Sequence, residues 1–194
     1  MLTLLTNKNG WIYMEQNYIE ESVRARLILA GIGELEEHGI TDFSLRRAAL
    51  SAQVSCAAPY RHFKDKDEYI KEIIRYVASK WELLTNEIKK VFSDNPRRLA
   101  IETAIASLRF RAANSNFRSV FTLSAKGGEE SVFDTAVIDS VSEYCNSRGI
   151  TDKARNLKIF TVRSVISGAI TLMNDGNIED ILALAKTKFE EELS

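Results

Sequence analysis

Between Ser44 and Lys66 the chain places five basic side chains, Arg46, Arg47, Arg61, Lys64 and Lys66, against a single acid, Asp65. Tyr60 and His62 add groups that can donate hydrogen bonds to phosphate oxygens. Cations and neutral donors at this density suit a polyanionic backbone. Reading base edges asks for more: a short helix carrying small or polar side chains, propped by a second helix across its back. Leu45, Ala48, Ala49 and Val54 supply apolar contacts for such a pair. Ser44 is an N-cap candidate for a helix over Leu45 to Ser51. Ala52-Gln53-Val54 forms the turn, and Ser55 is an N-cap candidate for a helix through about Arg61.

Over all 194 residues the formal net charge is −1. A nucleic-acid footprint must therefore be local, and Ser44 to Lys66 is where it concentrates. Other chemistries find less support. The chain has no Walker A loop, G-x-G-x-x-G, G-x-S-x-G or H-E-x-x-H. Its two histidines, His38 and His62, offer no catalytic pair, so no catalytic residue, metal site or cofactor is expected. Cys56 and Cys145 lie far apart with no C-x-x-C spacing, which reads as free thiols in a reducing cytoplasm. Cys56 reads as a small residue at a helix start; a redox-responsive thiolate is the other reading of that position. No apolar run is long enough to span a bilayer, and the segment from Met1 to Leu5 lacks the form of a signal peptide.

The elements that must hold this segment are helical. Apolar residues make up 45% of the chain, and they recur at 3-4 spacing with no sustained alternation; the expected fold class is all-α with about nine helices. Residues 1–17 read as an N-terminal extension, with Met1 or Met14 as the natural start. A first helix from about Ile19 to His38 carries Val23, Leu27, Ala30, Gly31, Leu35 and His38 on one face and stops at Gly39. A long helix from about Lys66 to Phe92 shows Ile70, Ile73, Ile74, Val77, Trp81, Leu84, Ile88 and Val91 as a stripe. Pro96 opens the next, to about Ala113. Further helices run from about Phe117 to Ala125, before Gly127-Gly128, and from about Glu130 to Asn146. The helix from about Asp152 to Asn174 is apolar on most sides and must be covered on all of them. The last runs from about Ile178 to Leu193. Three domains follow: residues 1–17 as the extension, 18–65 as the helix-turn-helix head, and 66–194 as a larger helical ligand-binding and dimerisation bundle.

The stretch from Phe43 to Ala49 with Val54-Ser55, and Ala57-Ala58-Pro59-Tyr60-Arg61-His62-Phe63-Lys64-Asp65-Lys66, resembles the DNA-binding head of the TetR family of bacterial transcriptional regulators. The Tyr-x-His-Phe step followed by x-x-Lys is its most specific part, and the match covers about Ile19 to Ile70. The resemblance implies roles by position. Arg46 would contact a base, and Cys56, Ala57 and Ala58 would face the groove. Ser44, Tyr60, His62 and Lys66 would contact phosphates, with Arg61 beside them. Two positions depart from the family pattern. Gln53 stands where a glycine is usual, so a left-handed conformation there would cost more. Pro59 lies inside the third helix and should make its start irregular or late.

The same resemblance implies a homodimer on a palindromic operator, with half-sites about 34–36 Å apart or a multiple of that, and a small-molecule effector held by the carboxy-terminal helices. Pocket candidates are Trp81, Phe110, Phe117, Phe121, Tyr144 and Met173. Arg109 and Arg111 flank Phe110, where an inward guanidinium could meet an anionic ligand. Ser164, Gly168 and Thr171, small residues that permit close helix approach, and Leu182, Ala185 and Phe189 of the final helix are interface candidates. The expected function is a cytoplasmic, ligand-responsive repressor. The other readings are an activator or helical interaction protein without small-molecule control, and an all-α enzyme.

Overall fold

The computed structural model describes residues 3–6, 12–15, 22–125, 131–173 and 176–194. Nine α-helices lie among them: α1 (Val23–His38), α2 (Leu45–Ser51), α3 (Ala58–His62), α4 (Lys66–Val91), α5 (Pro96–Ala113), α6 (Arg118–Ala125), α7 (Val132–Ser147), α8 (Asp152–Leu172) and α9 (Ile178–Glu192). A 3-10 turn, Ser115–Phe117, precedes α6. Among the described residues the all-α expectation holds from residue 22 onward. The extension adds two short strands, β1 (Thr3–Thr6) and β2 (Ile12–Glu15), paired antiparallel with Thr3 opposite Glu15. The expected helix start at Ile19 and the Gly127-Gly128 break lie outside the described residues.

The chain divides into two compact units, Met1–Tyr76 and Val77–Ser194, with the division inside α4. In the first, Ser22 caps α1 by accepting from the Ala25 N–H at 3.2 Å. Gly39 ends it with φ +69°, a left-handed conformation that the missing Cβ permits. Leu27, Ile32, Leu35, Ala48, Ala49, Phe63, Tyr69 and Ile73 form the core of this unit. Gly31 lets α1 approach α4 closely: a Cβ there would stand 2.6 Å from Ile73 Cδ1 and 3.0 Å from Tyr69 Cε2.

In the second unit α5 is the central helix. It packs against α7, α8 and α9 and buries residues on several sides, from Leu99 and Ile101 to Leu108 and Phe110. The last carbonyls of α9 and those of the two residues after it, which no intrahelical N–H reaches, are met by donors from three other helices. Arg97 donates to Leu193 O at 2.6 Å and to Glu190 O at 2.8 Å, Tyr144 Oη to Ser194 O at 3.2 Å, and Lys158 Nζ to Glu192 O. Two of these donors are cations, and the negative end of the helix dipole favours them. No described helix is long and apolar enough to cross a membrane.

Candidate nucleic-acid interface and ligand clefts

The geometry of the head starts at the buried carboxylate of Glu34 on α1. Its Oε1 accepts from the Ser44 N–H at 2.9 Å and from Arg47 Nε at 2.9 Å, and Arg47 Nη2 bonds both Glu34 and the Asp42 carbonyl. Burial alone would raise the pKa of Glu34. The hydrogen bonds from Arg47 and Ser44, with the Arg47 charge, outweigh it and hold the carboxyl below its usual range. Ser44 Oγ in turn accepts from the Arg47 N–H at 3.4 Å, capping α2 as its position suggested. Arg47 is therefore a positioning cation of the scaffold, and Ser44 spends its backbone donor on Glu34.

The turn after α2 closes with two bonds, Gln53 N–H to Leu50 O and Val54 N–H to Ala49 O, both 3.0 Å. This is the Schellman arrangement, with Gln53 in the left-handed position at φ +55°. The conformation that glycine would favour is thus adopted by glutamine.

The third helix starts late. Ser55 does not cap it by its side chain; its carbonyl accepts from the Ala58 N–H at 2.9 Å, and α3 begins at Ala58 after Ala57. The reason is Pro59. Its fixed φ and missing N–H suit the first helical turn, where that N–H would have no intrahelical partner. The proline lies at the helix start rather than inside it.

Phe63 anchors the far end. It stacks on Tyr69 with ring centroids 4.2 Å apart and planes 6° from parallel, and Phe43 meets Tyr69 edge-on at 5.4 Å. Tyr69 Oη donates to the Leu27 carbonyl. Burial, with the charge of Glu34 adding to it, drives the Tyr69 pKa upward and keeps the phenol neutral. Arg24, 5.7 Å above the Phe63 ring, pairs with Glu72, which also pairs with Arg75. At the start of α4 the Glu68 N–H donates to Asp65 Oδ1 at 2.8 Å, and Glu68 accepts from the Lys64 N–H. The pattern is close to a capping box, with the return bond taken from the residue before the cap.

The expected contact residues separate into three groups by exposure. Arg46, Cys56, Ala57, Tyr60, Arg61 and His62 are exposed, Tyr60 at 67%. Ser44 and Lys66 are half-buried. Lys66 Nζ donates to the Thr41 carbonyl at 3.1 Å. Ala58 is buried and belongs to the core that seats α3; a groove-facing role does not fit it. Glu34, Phe63 and Tyr69 were absent from the expected functional set. The Tyr-x-His-Phe step was the available signal for Phe63, whereas a buried carboxylate leaves no mark in spacing.

In the second unit Trp81, Phe110, Phe117 and Phe121 form one aromatic cluster that also contains Phe133, a residue the sequence reading did not single out. Phe110 lies 5.4 Å from Trp81, 6.4 Å from Phe117 and 6.0 Å from Phe121, and Phe121 meets Phe133 edge-on at 4.8 Å. Tyr144 stands outside the cluster's ring contacts, with its hydroxyl on Ser194 O. A cleft of about 480 Å³ is lined by Trp81, Glu82, Asp139 and Glu143 among others. The buried Trp81 Nε1 has no hydrogen-bond partner among the described residues. A second cleft, about 520 Å³, contains Phe121 and Met173 together with Arg111 and Arg118. The six pocket candidates therefore do not share one cavity.

The expected interface residues also divide. Ser164, Gly168 and Thr171 are exposed on α8, beside Leu157, Phe160 and Leu172. Leu182, Ala185 and Phe189 face the core of their own unit at 5% exposure or less. A side chain already covered by its own chain cannot meet a partner, so these three are core residues. Cys145 is buried, which pushes its thiol pKa up, and Cys56 is exposed.

No family model matches the sequence, and no curated protein matches it. Solved structures do. The TetR family transcriptional regulator PfmR from Thermus thermophilus superposes with a TM-score of 0.67 at 15% identity, covering 89% of this chain and 96% of that one. FadR from Bacillus subtilis, in complex with stearoyl-CoA, gives 0.64 at 16% identity over 87% and 97%. The fatty acid degradation regulator FadR from Bacillus halodurans gives 0.60 at 15% over 91% and 97%. The fold is that of TetR-family transcriptional regulators.

Proposed function

We propose that the chain is a sequence-specific DNA-binding transcriptional regulator. The observation that carries this is the exposed, cationic edge of α2 and α3. Arg46, Tyr60, Arg61 and His62 point to solvent there, while the other faces of both helices are packed on α1. A short helix propped in this way fits a major groove. The arginines suit guanine edges and phosphates, and Tyr60 and His62 suit backbone oxygens.

The regulator acts as a homodimer on a palindromic operator, and its interface lies on the exposed face of α8. Leu157, Phe160, Ser164, Gly168, Thr171 and Leu172 recur there at helical spacing. Phe160 is 68% exposed, and an uncovered apolar stripe of this length marks an interaction surface. Control is by a small-molecule effector in the second unit, and the usual outcome is repression. Support comes from the clefts around the aromatic cluster and from the stearoyl-CoA bound to one structural neighbour.

The test is selection of genomic fragments by the purified protein, followed by titration of the best fragment at rising salt. Affinity should fall steeply, because phosphate contacts release counterions. Salt-independent binding, or binding unchanged by Arg46→Ala and Tyr60→Ala, would remove the reading.

A further inference from the structure

The cleft of about 520 Å³ in the second unit has an unusual division of chemistry. It lies within the volume range of small-molecule sites, roughly 300–1,000 Å³. Its apolar wall is Phe121, Ile170, Met173 and Ile178, and its charged side chains are Arg111 and Arg118. No carboxylate is among its described lining residues.

Arg111 is held in place before any ligand arrives. Its side chain is only 17% exposed, and its guanidinium lies 4.7 Å above the Phe121 ring and 5.9 Å from that of Phe133. Its acidic partner is Asp134, at 3.4 Å, and Arg163 shares that carboxylate, also at 3.4 Å. Arg111 also lines the adjoining cavity of about 180 Å³, on the side where Asp134 stands. The guanidinium is therefore stacked on one ring and paired with Asp134 at 3.4 Å, and it borders both clefts. Burial pushes its pKa down while Asp134 opposes this, so the charge is costly there and a second anion would relieve it. Arg118 is exposed at the start of α6 and makes no ion pair among the described residues.

We infer that this cleft binds an amphipathic anion, a carboxylate or phosphate head on Arg111 and Arg118 with an apolar body along Phe121, Ile170, Met173 and Ile178. The inference names the ligand class for the effector site and rests on the regulator reading for its biological role. Binding itself does not depend on DNA. Arg111 supplies a planar, preorganised fork and Arg118 a second cation that closes on the head.

The experiment titrates the full chain, without DNA, with decanoate, decyl phosphate and decanol below their aggregation limits, by calorimetry. Saturable binding of at least one of the two anions, with decanol much weaker, supports the inference, and the tighter anion identifies the head. Arg118→Gln removes an exposed side chain and leaves the fold intact. It should weaken anion binding roughly ten- to a hundredfold, the worth of one charge-assisted hydrogen bond, and leave decanol unchanged. Arg111→Gln should do the same while Asp134 keeps Arg163, with retained helical signal showing that the chain is folded. Decanol binding as tightly as the anions, no saturable binding by either anion, or an unchanged anion affinity in both variants overturns it. Fragment selection is scored separately, so ligand binding without DNA binding sinks only the regulator reading.

Discussion

Arg47 and Glu34 form a fixed pair between α2 and α1, and neighbouring Arg46 is left facing solvent. Two adjacent arginines thus have different tasks. On the proposed function, Arg46→Ala should reduce the salt slope of DNA binding by about one counterion and weaken binding by about 1–3 kcal/mol at one base position. Arg47→Ala should leave that slope nearly unchanged and lower the melting temperature. Measuring both variants for DNA affinity against salt and for thermal stability separates the roles; a large slope change for Arg47→Ala would contradict the assignment.

Acid should weaken the first unit. Burial tends to raise the carboxyl pKa of Glu34 and of Glu72. Hydrogen bonds from Arg47 and Ser44 to the first, and from Arg75 and Arg24 to the second, bring both below the ordinary value. A group with a lowered folded pKa binds fewer protons when folded than when unfolded. Its stabilisation is therefore present above the ordinary carboxylate pKa, about 4.3, and disappears as pH falls through the folded value. The stability gap between wild type and the Glu34→Gln/Glu72→Gln double variant should be widest near neutrality and close below about pH 4. Chemical denaturation across that range checks it.

Gln53→Gly should stabilise the head. A non-glycine residue in the left-handed region costs about 1–2 kcal/mol, and the extra freedom of glycine in the unfolded chain returns part of that. The expected net gain is up to about 1 kcal/mol, read as a higher denaturation midpoint with an unchanged slope. A loss of stability would mean that the Gln53 side chain supports the turn.

Gly31→Ala should do the opposite. The new Cβ would stand 2.6 Å from Ile73 Cδ1, and overpacking at a close helix contact costs about 1–3 kcal/mol. Combining it with Ile73→Val, which removes that methyl group, should recover part of the loss.

Much of this fold was readable from spacing. The bounds of α2, α4 and α5 follow from Ser44, from the Ile70-to-Val91 stripe and from Pro96. The late start of α3 was legible from Pro59, whose fixed φ suits the first helical turn, whereas Ser55 looked like a cap and does not act as one by its side chain. The Glu34–Arg47 pair was hidden because a charged residue on an amphipathic helix reads as solvated until its partner is seen. Leu182, Ala185 and Phe189 were assigned to an interface for a related reason. An apolar stripe states that a face is covered, and it does not state whether the cover is the same chain or another. Among the candidate head contacts, the burial of Ala58 and the internal hydrogen bonds of Ser44 and Lys66 left no signal in the spacing.

The five residues of α3 are far too few to hold a helix in water alone. Its form comes from Ala58, Pro59 and Phe63, all on the buried side. The outward residues Arg46, Cys56, Ala57, Tyr60, Arg61 and His62 carry little of that burden. They form a replaceable face on a fixed backing. On the proposed function, substitutions at Arg46, Cys56 and Ala57 should exchange one preferred DNA sequence for another at nearly constant folding stability, while those at Tyr60, Arg61 and His62 should change affinity for all sequences alike, so that target choice can drift or be redesigned without rebuilding the head.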